Sequence, residues 1–410
     1  MPFVTDRLAD QSRCAQVPAG GDEELAEFLS ARIRGQQEAV RAIVRAATVA
    51  RAGLAEPHRP LGSILLVGPT GVGKSELART LAHALRGDPE DLCRIDMSQM
   101  SQEHYAASFG GAPPGYSGSK EGHTLFDRST VEGDPYTPGV VLFDEIEKAH
   151  RVVLRSLLHV LDHGELVLAN GQERIDFRNS YVILTSNLGA RSLTRLMQGP
   201  VGRLQRRFGA AESAGSRAGQ LTAGIARRAG ERLSRRAVQS FLDPEFFNRI
   251  DEMVVLEHLD GATAESIVEL QVQEIIRRAR RRRASVTVDP SVHRLLLAEG
   301  FSPAYGARSL SRAVRRHLSA PLADAMRRAR QVGETKPVLH VVCEGEEAVV
   351  YRRTAPEEEP DAAPDSPPEP VPEAEEKPDA DVGSGVAPEA DAGSDTTAET
   401  RSEEDHDARL

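Results

Sequence analysis

Gly68–Ser75, with the sequence GPTGVGKS, constrains this chain more than any other segment of comparable length. It fits the pattern G-x-x-x-x-G-K-[ST], which needs a strand before it and a helix after it. Both flanks have that character. Ser63–Val67 is a short apolar run of strand length, and Glu76–Leu85 reads as a helix. The glycines let backbone N–H groups close around phosphates, and the helix N-terminus adds partial positive charge. Gly68, Pro69, Thr70, Gly71, Val72 and Gly73 are therefore expected to cradle the phosphates of ATP. Lys74 is expected to reach the β- and γ-phosphates, and Ser75 to hold Mg2+.

A second motif supplies what a phosphate loop lacks. Val140–His150 reads VVLFDEIEKAH, an apolar strand ending in two adjacent carboxylates. One carboxylate suits the Mg2+ shell, assigned here to Asp144. The next suits a base acting on the attacking water, assigned to Glu145. A third signal is Asn187 in the triplet TSN, just beyond the apolar run Tyr181–Leu184. In a parallel sheet this places an amide beside the γ-phosphate and its water, although Asn after a strand is more often a turn residue.

The remaining pattern supports one fold class. Leu92–Ile95, Val140–Phe143, Tyr181–Leu184 and Val254–Leu256 read as further strands, alternating with helical stretches. That alternation predicts an α/β fold with a parallel sheet covered on both faces. Helices are expected from Asp22 and over Gln37–Ala52. Residues 199–236, rich in Arg, Gly, Ala and Ser, read as a partly helical surface insertion. From Ala262 to Ala329 the pattern is mostly helical, with a closing hairpin from Val338–Val342 and Ala348–Tyr351. The expected division is an N-terminal arm at 1–22, a large α/β domain at 23–257, a small domain at 258–353 and a tail at 354–410.

Charge distribution separates that tail from the rest. The chain of 410 residues carries a net charge of −11, yet residues 354–410 hold 19 Asp and Glu against 3 Lys and Arg. The preceding residues are therefore mildly basic, at +5. The tail has almost no large apolar side chain, so it is expected to be disordered. Cys14, Cys93 and Cys343 lie far apart and form no zinc-spaced cluster, which fits a reducing cytoplasm. The N-terminus lacks the apolar run of a signal peptide, and no stretch of about 18 apolar residues occurs, so no membrane span is expected. The run Ile275–Val286 holds six arginines without interleaved aromatics. It reads as a solvated helix face ahead of a nucleic-acid site.

From about Arg32 to Leu322 the chain resembles the second ATPase module of the Clp unfoldase/disaggregase family, a branch of the AAA+ ATPases. The segments that carry the resemblance are RIRGQQEAV, RPLGSILLVGPTGVGKSELA, RIDMSQM, GAPPGYSG, VVLFDEIEKAH, DFRNSYVILTSNLG, PEFFNRIDEMVVL and YGARSL. The resemblance implies an AAA+ fold with a five-stranded parallel sheet and a mainly helical small domain. It implies that Ile33 and Gly35 border the adenine, and that Arg249 is an arginine finger entering a neighbouring subunit's site. It implies that Arg308 senses the γ-phosphate within its own chain, and that Gly115 and Tyr116 form a pore loop gripping polypeptide. A finger of that kind requires a ring, which the family builds as a hexamer. Ser117 stands where the family usually has Val, and no Ile/Leu-Gly-Phe/Leu loop for docking on the Clp peptidase is evident. The expected function is an ATP-driven protein unfoldase or chaperone. The alternatives are a switch remodelling one specific partner without threading it and, behind that, a nucleic-acid remodeller.

Overall fold

The computed structural model describes residues 21–102, 109, 125–134, 136–168, 173–189, 217–302 and 306–353, with the backbone alone for 217–227. Gly115, Tyr116 and Ser117, the arm before residue 21, residues 199–216 and the tail from 354 lie outside the described residues.

Five strands form the central sheet: β1 (Gly62–Val67), β2 (Cys93–Asp96), β3 (Gly139–Asp144), β6 (Ser180–Ser186) and β7 (Glu252–Val255). Their spatial order is β2-β3-β6-β1-β7, and every pairing is parallel. β1, β3 and β6 are buried along their whole length. Continuous apolar runs of this kind fit strands covered on both faces. The pleat sends Ile64 and Leu66 into one core with Leu29, Ile43, Leu77, Leu81 and Ile183. It sends Leu65 and Val67 into the opposite core with Phe143, Val153, Leu157, Val182 and Leu184.

Helices α1 (Asp22–Arg32), α2 (Gln37–Arg51) and α3 (Lys74–Arg86) supply the first core. α3 starts at Lys74, two residues earlier than the periodicity suggests, because the loop's own Lys74 and Ser75 form its first turn. It ends at Gly87, which adopts the left-handed conformation that favours glycine. α4 (Arg128–Glu132) and α5 (Arg151–His163) cover the second face. Gly164, with φ of 64°, stops α5, and a Cβ there would lie 2.9 Å from the carbonyl oxygen of His58.

Between α5 and β7 the elements differ from the sequence reading. A short antiparallel pair, β4 (Glu165–Val167) with β5 (Arg174–Asp176), follows α5. With three residues each, they are too short to show an alternating pattern. The insertion contains α6 (Arg217–Phe241), a regular helix of 25 residues that runs past its expected end. Gly189 lies under α6, where a Cβ would sit 2.9 Å from Ser234 Cα. α7 (Pro244–Asn248) then leads into β7.

Beyond β7 come α8 (Gly261–Arg281), β8 (Ser285–Val288), α9 (Pro290–Gly300), α10 (Ala307–Val314), a π-helical turn at Arg315–Ser319, α11 (Ala320–Gln331), β9 (Val338–Glu344) and β10 (Glu347–Arg353). β9 and β10 make the expected hairpin. β8, inside a stretch read as helical, pairs parallel with β9 to complete a three-stranded sheet. A third core of Val268, Val272, Leu296, Leu310, Leu318 and Leu339 joins these helices to that sheet. Asp260 and Asp289 cap α8 and α9 by accepting the N–H groups of Thr263 and Ser291.

Candidate nucleotide site

The phosphate loop, Asp144, Glu145 and Asn187 all lie at the carboxyl edge of the parallel sheet. Ligands of open α/β sheets bind at that edge. β1 delivers the loop, β3 ends on Asp144, and β6 ends just before Asn187. Gly71 and Gly73 hold φ of 80° and 103°, which lets the loop turn before α3 begins.

Lys74 is buried at 8% exposure, and its ammonium donates to the carbonyls of Gly68 and Pro69 at 2.7 Å each. It also donates to Asn187 Oδ1 at 2.9 Å. Burial pulls its pKa down from the usual lysine value to about 8; Glu147 and Asp144 act against the shift, and Arg308 adds to it. Asn187 Nδ2 in turn donates to Glu145 Oε1 at 3.1 Å, and the Asn187 backbone N–H donates to Glu147 Oε1 at 3.0 Å. Asn187 thus links the cationic and anionic halves of the site.

Asp144 is the other hub. Ser75 Oγ lies 3.2 Å from both of its carboxylate oxygens. Thr185 Oγ1 donates to Oδ1 at 2.5 Å, and Arg94 Nη2 donates to Oδ2 at 2.6 Å. Burial alone raises the Asp144 pKa, but the hydrogen bonds from Thr185 and Arg94 outweigh it and hold the group below the usual carboxylate range. Glu145 sits at φ of 60°, rare for a residue with a side chain. Its N–H donates to Thr185 Oγ1 at 3.0 Å, which fixes that turn. Strain of this kind, about 1–3 kcal/mol, persists where the surroundings over-determine it, and it clusters at active sites.

Arg308 reaches the site through the backbone. Ala307 N–H donates to Gly71 O at 2.8 Å, so α10 begins against the phosphate loop. At Gly306, φ is 55° and a Cβ would lie 2.5 Å from Gly71 O. A side chain there would push the helix off the loop. Arg308 is exposed and close enough to Lys74 to perturb its titration.

Ile33 is buried in the first core, at the end of α1. Gly35 holds φ of 74°, with the Thr263 side chain of α8 where its Cβ would be. Gln36, absent from the sequence reading, is buried and exchanges two hydrogen bonds with the backbone of Glu257, at 3.1 and 3.2 Å. This clamp ties the segment after α1 to the connection between β7 and α8. Gly35 and Gln36 also border a cavity of about 590 Å3 that reaches β7 and α6.

Arg249 is not at this edge. Its carbonyl accepts from Arg59 at 2.5 Å and lies 3.2 Å from Ser63 Oγ, which places it beside the start of β1. From Ser63 to Gly68 the strand rises roughly 17 Å at its usual pitch. The Arg249 guanidinium pairs with Asp162 of α5 at 3.0 Å and is 41% exposed. Arg94, Thr185 and Glu147 also escaped the sequence reading. The only available signal for Arg94 was a charged residue interrupting an apolar strand.

Comparison with known proteins fits this geometry. Residues 59–253 match the family described as AAA domain (Cdc48 subfamily), and residues 259–338 match the C-terminal, D2-small domain, of ClpB protein. A Rhodococcus erythropolis protein named ATP-dependent protease ATP-binding subunit-like protein is 51% identical over 82% of this chain and 95% of its own length. This chain belongs to the Clp-type AAA+ ATPases. The Pseudomonas putida chaperone protein ClpB is 40% identical over 73% of this Clp-type ATPase, which spans 32% of that relative. The Saccharomyces cerevisiae Hsp104:casein complex matches with a TM-score of 0.66 at 28% identity, over 83% of this chain and 54% of that one. The matched region therefore resembles the second ATPase module of larger relatives, as the motifs imply.

The donor set suits a magnesium nucleotide. Ser75 and Asp144 offer hard oxygen ligands at adjoining positions, and Mg2+ binds through few protein oxygens together with phosphates and water. The buried Lys74 ammonium has neutral carbonyl and amide partners at hydrogen-bond distance, leaving its charge to be met by phosphate.

Proposed function

We propose that this Clp-type ATPase is a polypeptide-remodelling motor that hydrolyses ATP with Mg2+ in a cytoplasmic ring, most simply a hexamer. Residues 23–257 act as the large domain and residues 258–353 as the small one. The carrying observation is the division of the site. Lys74, Ser75, Asp144, Glu145, Asn187 and Arg308 meet at one edge of the sheet, whereas Arg249 sits at the other. The distance of this arginine from its own phosphate loop supports a role in a neighbouring subunit's site.

Within one chain the roles divide by chemistry. The loop from Gly68 to Gly73 wraps the phosphates, while Lys74 and Arg308 balance their charge. Ser75 and Asp144 would hold Mg2+, which would supply positive charge to the phosphates. Glu145 takes the proton of the attacking water, and Asn187 orients that water while keeping Glu145 and Lys74 apart. Ile33 and Gly35 border the base, and Gly115 with Tyr116 contacts the polypeptide.

The second reading is an ATP-driven switch acting on one folded partner. It is favoured by the Rhodococcus relative, 95% of whose length this chain covers. Turnover by the full chain decides between the readings. Stimulation by an unfolded protein such as casein, with ring assembly in ATP, supports the motor. Stimulation by one folded partner alone supports the switch, and stimulation by DNA or RNA overturns both.

A further inference from the structure

Two arginine runs remote in sequence meet on the surface. One is the end of α8 and its following turn; the other is the end of α11. Arg330 Nη2 donates to the carbonyl of Arg282 at 3.5 Å, which joins them. Between them lies an open groove of about 460 Å3 lined by Arg282, Ala323, Met326, Arg327, Arg330 and Gln331. No carboxylate lines it.

The nearby acids are already engaged. Glu274 pairs with Arg277 and Arg278, and Asp324 pairs with Arg327 and Arg328. Arg280, Arg281, Arg282, Arg283 and Arg330 are exposed and make no ion pair among the described residues. The helix dipole favours cations in the last turn of α8, but that effect fades beyond it. Arg283 lies past the end. Its N–H donates to Arg280 O at 2.9 Å and that of Ala284 to Ala279 O at 3.0 Å, the paired bonds that close a helix on a left-handed residue. Glycine is usual at that position, yet here Arg283 holds φ of 63°. Among the described residues only Glu145 shares such a conformation without being glycine.

We propose that this groove docks an acidic segment of a partner polypeptide. One apolar side chain sits on Ala323 and Met326, and flanking carboxylates meet Arg282 and Arg330, the two lining arginines without an ion pair among the described residues. Forked guanidinium donors suit carboxylates and phosphates alike. The floor decides between them. Ala323, Met326 and the arginine stems offer an apolar seat that a phosphate backbone does not fill, and no aromatic lines the groove to stack a base.

The test is fluorescence anisotropy with the full chain and a short labelled peptide of glutamates around one leucine. The same peptide with serine for leucine and a single-stranded oligonucleotide are run beside it. Wild-type protein binds the leucine peptide in a salt-sensitive manner and the serine peptide more weakly. The Arg282→Glu/Arg330→Glu variant weakens peptide binding by about tenfold or more, while ATP turnover and assembly state stay unchanged. Absent peptide binding overturns the proposal, as does equal binding of the two peptides. So does an oligonucleotide that binds as tightly and is lost in the same variant. A variant that instead alters assembly marks the groove as a contact between copies and also overturns it.

Discussion

The Thr185 hydroxyl donates to Asp144 Oδ1 at 2.5 Å while accepting the N–H of Glu145 at 3.0 Å. One buried oxygen therefore sets the geometry of both carboxylates. Thr185→Val keeps the shape and removes both bonds. It leaves a buried N–H without its acceptor, at a cost of about 1–3 kcal/mol in stability. The expected result is turnover reduced by roughly ten- to a hundredfold, with nucleotide affinity nearly kept, because the base and the Mg2+ carboxylate lose their alignment. Turnover and nucleotide binding measured across a Mg2+ titration check this. Wild-type turnover in the variant would show that Thr185 has no positioning role.

Lys74→Ala and Glu145→Gln should separate binding from chemistry. In the proposed division of roles Lys74 balances phosphate charge in the ground state, so its loss should abolish ATP binding. Glu145, as the proposed base, would act on the water, so its amide variant should bind ATP and stop turning it over. Equilibrium binding and single-turnover hydrolysis distinguish them. Normal turnover in Glu145→Gln would remove it as the base.

Lys74 also predicts a pH dependence. Burial brings its pKa to about 8 in the ligand-free protein. Its folded value lies below its unfolded value, so its charged form destabilises the fold below about pH 8, and this cost is relieved as pH rises toward 10.5. Bound polyphosphate favours the ammonium and raises the pKa again. ATP binding at pH 8 should therefore take up roughly half a proton, and affinity should fall about tenfold per pH unit above that point. Calorimetry in buffers of different ionisation enthalpy measures the uptake. Proton release, or no linkage at all, would contradict a charge-balancing Lys74.

Much of this site is legible in the sequence because its chemistry is local. GPTGVGKS carries the loop, and DEIEKAH places two carboxylates at a strand end. Buried runs such as Ser63–Val67 announce strands by composition alone. What escapes is set by neighbours far apart in the chain. Arg94 meets Asp144 because β2 and β3 pair in parallel, and nothing around Arg94 encodes that pairing. Gln36 finds Glu257 across 221 positions. The order β2-β3-β6-β1-β7 is likewise a tertiary result, and β8 is too short to break a helical reading.

Arg249 yields the most specific test of the ring. Its guanidinium is held by Asp162 and its carbonyl by Arg59 and Ser63, all near the start of β1. Arg59 also pairs with Asp251 at 3.1 Å, and Asp251 accepts from the Ser63 N–H and hydroxyl at 2.7 Å each. The backbone around Arg249 is thus fixed, while its side chain is held by one partly exposed ion pair worth about 0–1 kcal/mol. In the proposed ring that pair would yield to a neighbour's phosphate. Arg249→Ala should leave nucleotide binding nearly intact and lower turnover by about a thousandfold, the low end of arginine-finger effects. Asp162→Asn removes the intrachain partner and leaves the finger in place, so turnover should change by no more than about threefold. An Arg249→Ala chain mixed with a Glu145→Gln chain should recover part of the activity, because some interfaces then pair an intact finger with an intact base. Steady-state turnover of each variant and of the mixture checks the set. Unchanged turnover in Arg249→Ala would end the finger assignment. An equal, large loss in Asp162→Asn and Arg249→Ala would show that the ion pair itself is what matters, and that Arg249 works within its own chain.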